Sequence, residues 1–165
     1  MKIRMAGLVK ESIVDGPGFR TAVFVQGCPH HCPDCHNPQT HDFEGGTWMD
    51  TDDIVRDMLD NPLIDGITLS GGEPFCQPEA CAEIASRARA AGLNVWSYTG
   101  YTFEQLLAGK AEWKKLLQEI DVLVDGPFLK EQRTLDLRFR GSSNQRLIDV
   151  QRSLSENALI EFPLN

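Results

Sequence analysis

Short apolar runs alternate with longer amphipathic stretches over most of the chain. Residues 21–26 are rich in β-branched and aromatic side chains and stop at Gly27, as expected of a buried strand. Residues 51–59 have the apolar spacing of a helix, with Asp50 or Thr51 as the N-cap and acidic side chains in the first turn. The pattern therefore predicts a strand and then a helix in the first third of the chain.

The same alternation continues to residue 150 and predicts the remaining elements. Gly92 stands where a left-handed residue would end a helix, and Thr102 and Gln105 have the spacing of a capping box. Further strands are predicted at residues 66–70, 94–98 and 121–125 with a fifth at 145–150, and helices at residues 79–91 and from residue 102 to a break near Gly109.

This order of elements predicts an α/β fold. Strands that alternate with helices favour a parallel sheet with helical crossovers. A complete (β/α)8 barrel needs about 250 residues, whereas the chain has 165. We therefore expect one domain over residues 1–165, built as an incomplete TIM-type barrel or an open sheet.

Candidate functional groups follow the carboxyl end of each predicted strand. In parallel α/β folds, binding and catalytic residues gather at this edge of the sheet. The segments concerned are Gly27-Cys28, Ser70-Gly71-Gly72-Glu73, Tyr98-Thr99-Gly100 and Asp125-Gly126. We expect all four to meet at one rim.

The cysteines indicate soft-metal chemistry. Three of the five, Cys28, Cys32 and Cys35, form a C-x3-C-x2-C pattern. Soft thiolates select iron–sulfur clusters, zinc or Cu(I). A [4Fe–4S] cluster normally takes four thiolates, so three would leave one iron open to an exchangeable ligand.

Zinc is the main alternative to a cluster. Its fourth ligand would be one of three histidines in or beside the cysteine motif, His30, His31 or His36. However, structural zinc sites usually take their ligands from two separated pairs. The other two thiols, Cys76 and Cys81, are most simply interpreted as small core residues or idle thiols.

Composition narrows the classes of partner. The formal net charge of −8 argues against broad nucleic-acid binding, which needs clustered lysines and arginines. No apolar run approaches the roughly 20 residues of a membrane span, and residues 1–4 lead into no apolar secretory segment. We therefore expect a cytoplasmic protein with no nucleic-acid or membrane partner. A local exception is a group of arginines that could bind an anion or an acidic partner: Arg133, Arg138, Arg140 and Arg146.

Two motifs together resemble the radical S-adenosylmethionine superfamily. The first is the C-x3-C-x2-C loop directly after a strand, and the second is Ser70-Gly71-Gly72-Glu73-Pro74 at the end of the next predicted strand. The resemblance implies a partial barrel of the radical SAM fold. It also implies a [4Fe–4S] cluster on Cys28, Cys32 and Cys35, with S-adenosylmethionine on the fourth iron.

The resemblance further implies which residues contact S-adenosylmethionine. Glu73 would accept a hydrogen bond from its ammonium group, and the paired glycines would let the ligand approach the backbone. The full set of expected cofactor-binding residues is Asp34, Cys35, His36, Gly71, Gly72, Glu73 and Thr99. No catalytic residue is expected beyond the cluster ligands.

Four other segments are similar to glycyl radical enzyme activases, and in particular to those of anaerobic ribonucleoside-triphosphate reductase. They are Asp15-Gly16-Pro17-Gly18-Phe19-Arg20, residues 96–101, residues 124–128 and Arg140-Gly141-Ser142-Ser143-Asn144-Gln145. The resemblance implies reductive cleavage of S-adenosylmethionine and a glycyl radical on the large subunit of that reductase. It also implies an external electron donor such as flavodoxin or ferredoxin.

Other functions remain open at this point. The chain could activate a different glycyl radical enzyme, of the formate-lyase type, or act on a free metabolite. It could also be a non-catalytic iron–sulfur or zinc module, although such a module would not need Gly71, Gly72 and Glu73 on the same rim.

Overall fold

The computed structural model describes residues 1–163. Within these residues seven strands form one open sheet in the order β3-β1-β2-β4-β5-β6-β7. The four central strands, β2, β4, β5 and β6, are parallel, and β1, β3 and β7 are antiparallel to their neighbours. The strands are β1 Lys2–Ser12, β2 Arg20–Val25, β3 Thr47–Asp50, β4 Gly66–Gly71, β5 Asn94–Tyr98, β6 Val122–Asp125 and β7 Arg146–Asp149.

Helices connect the parallel strands, and their ends follow the sequence signals. The Asp50 side chain accepts a hydrogen bond from the backbone N–H of Asp52, and Thr102 and Gln105 form the expected capping box. Gly92 has a φ of +86°, so the predicted left-handed helix end is confirmed. The helices are α1 Thr51–Leu59, α2 Pro78–Ala90, α3 Phe103–Leu107, α4 Ala111–Leu117 and α5 Val150–Glu156.

The two faces of the sheet are covered differently. The main core lies between the sheet and the helices and includes Ile67, Val95 and Leu123. Because side chains alternate along a strand, Trp96 and its neighbours point to the other face, where Phe139 and Phe162 pack edge-on against its ring. This second face is thus partly covered by chain beyond β6.

The predicted incomplete α/β barrel is confirmed, but the edges of the sheet differ from the prediction. No strand was predicted before residue 20, yet β1 spans 11 residues. The region predicted as a fifth strand of a parallel sheet is β7, which runs antiparallel to β6. The physical reason is that no crossover helix separates β6 from β7, so the chain reverses direction through a long loop. Among residues 1–163 the longest helix, α2, has 13 residues, and none of the helices there could span a membrane.

Cys81 lies in the core, which agrees with its interpretation as a small core residue. It is fully buried in α2, and burial raises the pKa of its thiol far above the ordinary value. Above pH 9 the thiol stays protonated in the folded chain but ionises in the unfolded chain, which favours unfolding. The contribution of Cys81 to stability is therefore present below that pH and is lost above it.

We expect the free energy of unfolding of the apo-protein to fall between pH 8 and pH 10, with roughly 1 to 2 kcal/mol of the loss due to Cys81. Urea unfolding of Cys81→Ala should show a correspondingly smaller fall over the same interval. An equal fall in both proteins would contradict the assignment.

Candidate cluster and cofactor site

A cavity of about 640 Å3 opens at the carboxyl end of the parallel strands. The structure brings all four strand-end segments to this cavity, because the ends of parallel strands share one edge of the sheet. Its wall includes the three motif cysteines, together with Ser70, Gly71, Gly72, Tyr98, Thr99, Gly100 and Gly126.

Left-handed backbone shapes the cysteine loop. His31 and Asp34 have φ angles of +51° and +57°, and each directly precedes a motif cysteine. A non-glycine residue rarely adopts this region, although Asp and His do so more often than most. The backbone N–H of Cys35 donates to the carbonyl of Cys32 over 3.2 Å. The loop therefore curls tightly enough that all three cysteines line the same cavity.

The donor set of this loop fits a [4Fe–4S] cluster. All three cysteines are free thiols, and a cubane binds each thiolate at a different iron. Burial raises the pKa of the Cys28 thiol to about 11, so a bound metal would be needed to ionise it at neutral pH. The backbone N–H of Asn37 lies 3.4 Å from Sγ of Cys35, and N–H···S contacts of this kind tune cluster potentials.

The zinc alternative requires ligands that converge on one ion. Among residues 1–163, no three His, Cys, Asp or Glu side chains gather closely enough to hold a single metal ion. His30 and His36 line the cavity, but the first contacts Glu73 and the second packs against Phe128 at a ring separation of 5.0 Å. The positive evidence for a cluster is that three free cysteines of one loop line the same cavity, and this donor set fits a [4Fe–4S] cluster.

The structure places the expected cofactor-binding residues in two groups. Cys35, His36 and Thr99 line the cavity, as do Gly71 and Gly72. Gly71 has a φ of +102°, and a Cβ there would come within 2.5 Å of backbone atoms of Val25. Only glycine can follow this path, so the Gly71-Gly72 turn presents backbone alone to the cavity.

Asp34 and Glu73 lie outside the cavity wall. The exposed carboxylate of Asp34 pairs with Lys130 at 3.3 Å. The carboxylate of Glu73 is buried and accepts hydrogen bonds from within the chain. That either residue contacts S-adenosylmethionine directly stays a prediction.

Sequence reasoning assigned no role to several residues of the wall. Val14 and Asp15 reach it from the loop before β2, and this loop is held by the buried guanidinium of Arg20. Arg20 donates to the carbonyl of Pro17 and to the hydroxyl of Thr68. The motif at residues 15–20 could have identified Val14 and Asp15 from the sequence, because its arginine, Arg20, is buried and holds this loop in place.

The segment at residues 140–145 also acts inside the molecule. Ser142 is buried, and its hydroxyl accepts a hydrogen bond from the N–H of Leu129. The Asn144 amide donates to the carbonyl of Pro127, and that of Gln145 donates to the carbonyl of Gly126. These bonds hold residues 126–129 in place, and two of them, Gly126 and Phe128, line the cavity.

Comparisons with known proteins agree with this site. Residues 14–148 match the family model described as a 4Fe-4S single cluster domain. The solved structure of QueE from Escherichia coli aligns with 76% of this chain and 71% of its own at a TM-score of 0.48 and 14% identity, a likeness too distant to bear on function. The family model covers most of the chain, so the chain belongs to the class of 4Fe-4S single cluster domains, and its cysteine loop supplies three thiols for that cluster.

Sequence relatives identify the branch of this class. The chain is 38% identical over 142 residues to the anaerobic ribonucleoside-triphosphate reductase-activating protein of Escherichia coli strain K12, covering 81% of this chain and 90% of that protein. The protein of the same name from Vibrio cholerae is 37% identical, covering 81% of this chain and 89% of its own length. That from Enterobacteria phage T4 is 36% identical, covering 81% of this chain and 86% of its own length. The chain therefore belongs to the family of anaerobic ribonucleoside-triphosphate reductase-activating proteins.

Proposed function

We propose that this chain cleaves S-adenosylmethionine reductively and thereby generates a glycyl radical on the large subunit of an anaerobic ribonucleoside-triphosphate reductase. The observation that carries the proposal is that three free cysteines and the bare Gly71-Gly72 turn share one cavity. The names of the sequence relatives support the choice of reductase.

Each residue of the site has a proposed task. Cys28, Cys32 and Cys35 would hold the cluster, which when bound supplies the electron that splits the sulfonium of S-adenosylmethionine. Gly71 and Gly72 leave the backbone open to the ligand. The remaining proposed cofactor-binding residues are Asp34, His36, Glu73 and Thr99, besides Cys35.

The mouth of the cavity suits a protein substrate. Val14 and Leu135 both line the cavity, yet their side chains are 72% and 91% exposed. Exposed apolar side chains at a rim are typical of a surface that a partner covers. Arg133 and Arg138 are exposed in the same loop as Leu135, which supports docking of a polypeptide that carries acidic groups.

Further parts of the function follow from the same proposal. Residues 1–165 act as one radical SAM domain, because every strand belongs to one sheet, although residues 164–165 lie outside the described part. The electron comes from an external donor such as flavodoxin or ferredoxin. The protein is expected in the cytoplasm, with no nucleic-acid or membrane partner.

The proposal is tested with the wild-type chain. After anaerobic reconstitution with iron and sulfide and reduction of the cluster, we expect S-adenosylmethionine to be converted to 5′-deoxyadenosine and methionine. Mixing with the anaerobic reductase should then produce a glycyl radical signal in the EPR spectrum. Absence of 5′-deoxyadenosine with a cluster shown to be intact and reduced would refute the enzymatic proposal.

A further inference from the structure

The carboxylate of Glu73 joins the three segments on which the proposed function depends. Glu73 itself follows β4 and is only 1% exposed. From the end of β5, the Thr99 hydroxyl donates to this carboxylate at 2.9 Å, and the Gly100 N–H donates to Oε1 at 2.7 Å. From the cysteine loop, Nε2 of His30 lies 2.6 Å from the same Oε1.

These contacts occupy the carboxylate. The second oxygen, Oε2, also accepts from the N–H of Phe75 at 3.0 Å. An ionised carboxylate offers about four acceptor positions, and two backbone amides, a hydroxyl and an imidazole fill them. Without a ligand, the acceptor positions of Glu73 are thus taken up within the chain, and a ligand ammonium that binds this carboxylate would replace one of these donors.

Among the described residues, His30 is the one side chain of the cysteine loop that contacts the Glu73 carboxylate, while the backbone N–H of Glu73 donates to the carbonyl of Gly27 at 2.8 Å. Its ring packs edge-on against Tyr101 at a centroid separation of 4.5 Å. It also covers Gly100 so closely that a Cβ on that glycine would lie 2.4 Å from the imidazole. The ring is thus held on three sides, and its position between Cys28 and Cys32 ties the loop to the ends of β4 and β5.

We propose that His30 is a positioning residue whose contact with Glu73 sets the cysteine loop against the Gly71-Gly72 turn. This inference rests on the proposed function, because the turn is taken as part of the S-adenosylmethionine site. The three thiolates would still hold a cluster without the contact. What changes is the separation between the cluster and the rim of β4, and with it the fit of a ligand that must contact both.

The test compares His30→Ala, His30→Gln and a matched control, His31→Asn, in reconstituted protein. Gln keeps an N–H donor that can reach Glu73, whereas Ala removes it. His31 is an exposed histidine of the same loop with a φ of +51°, and Asn tolerates that backbone. Iron and sulfide per chain report the cluster, equilibrium dialysis reports the affinity for S-adenosylmethionine, and EPR of the reduced cluster reports the change on ligand addition.

We expect all three variants to load iron within about twofold of wild type. His30→Ala should bind S-adenosylmethionine at least about tenfold more weakly and show a diminished EPR change, while His30→Gln recovers most of both and His31→Asn matches wild type. Unchanged affinity in His30→Ala, equal defects in His30→Gln and His30→Ala, or loss of the cluster in His30→Ala would overturn the inference. Dialysis uses the unreduced cluster, so the affinity is measured without turnover, and a wild-type protein that binds but does not cleave would refute the proposed function and leave this test intact.

Discussion

Cys32→Ala is expected to reduce 5′-deoxyadenosine formation by at least about 10³-fold, the scale seen when an essential catalytic group is removed. Cys32 is half-buried in the loop that lines the cavity, so its thiol contributes little to the core. Removing it leaves two thiolates in a motif that already has one fewer than a [4Fe–4S] cluster normally takes. Iron per chain and 5′-deoxyadenosine per chain, both measured after anaerobic reconstitution, provide the readouts.

Cys81→Ala is the matched control for this experiment. It is the same substitution at a thiol that lies in α2 within the helix-side core and does not line the cavity. The control should keep wild-type iron content and at least half of the activity, since Ala fills most of the volume of Cys. Full activity in Cys32→Ala would exclude Cys32 as a ligand, whereas equal losses in both variants would point to a general effect on folding.

Sequence reasoning succeeded where the signal is local. The N-cap at Asp50, the capping box at Thr102 and the left-handed Gly92 each depend on a few neighbouring residues, and all three are confirmed. β1 was missed because its pairing with β2 is interrupted by two register shifts, which break the simple alternation of buried and exposed side chains. The direction of β7 was wrong because nothing within that segment specifies which way it pairs.

The same limit applies to the site. The ends of the predicted strands are marked locally, and because the carboxyl ends of parallel strands share one edge, they were sufficient to predict which segments meet at the cavity. The hydrogen bonds of Glu73 to His30, Thr99 and Gly100 join residues 26 to 43 positions away, and they depend on loop backbones that only the folded chain fixes. The sequence therefore indicated that Glu73 matters, but not that its carboxylate is occupied within the protein.

Gly71→Ala is expected to destabilise the protein by about 3 kcal/mol or more, which lowers Tm by about 10 °C in a chain of this size. Two independent penalties add at this position. The backbone has a φ of +102°, which is strained for any residue with a side chain, and the new Cβ would come within 2.5 Å of the N and O atoms of Val25. Because these are backbone atoms of the adjacent strand, β2 and β4 must separate at the rim of the cavity. Thermal unfolding followed by circular dichroism measures the change in the apo-protein.

Gly7→Ala separates this effect from the general cost of replacing a strand glycine. Gly7 lies in β1 and has no positive φ, and a Cβ at this position would meet no heavy atom within 4 Å beyond its chain neighbours. Its substitution should change Tm by no more than about 2 °C, since Ala only reduces the freedom of the unfolded chain.

A second readout on Gly71→Ala connects stability with function. At a temperature where Gly71→Ala remains folded, its affinity for S-adenosylmethionine should still be reduced, because the separated rim no longer presents the Gly71-Gly72 turn beside the cysteine loop. Wild-type stability in Gly71→Ala would show that the strand ends are not packed as tightly as the structure indicates, while normal affinity in the folded variant would remove the turn from the binding site.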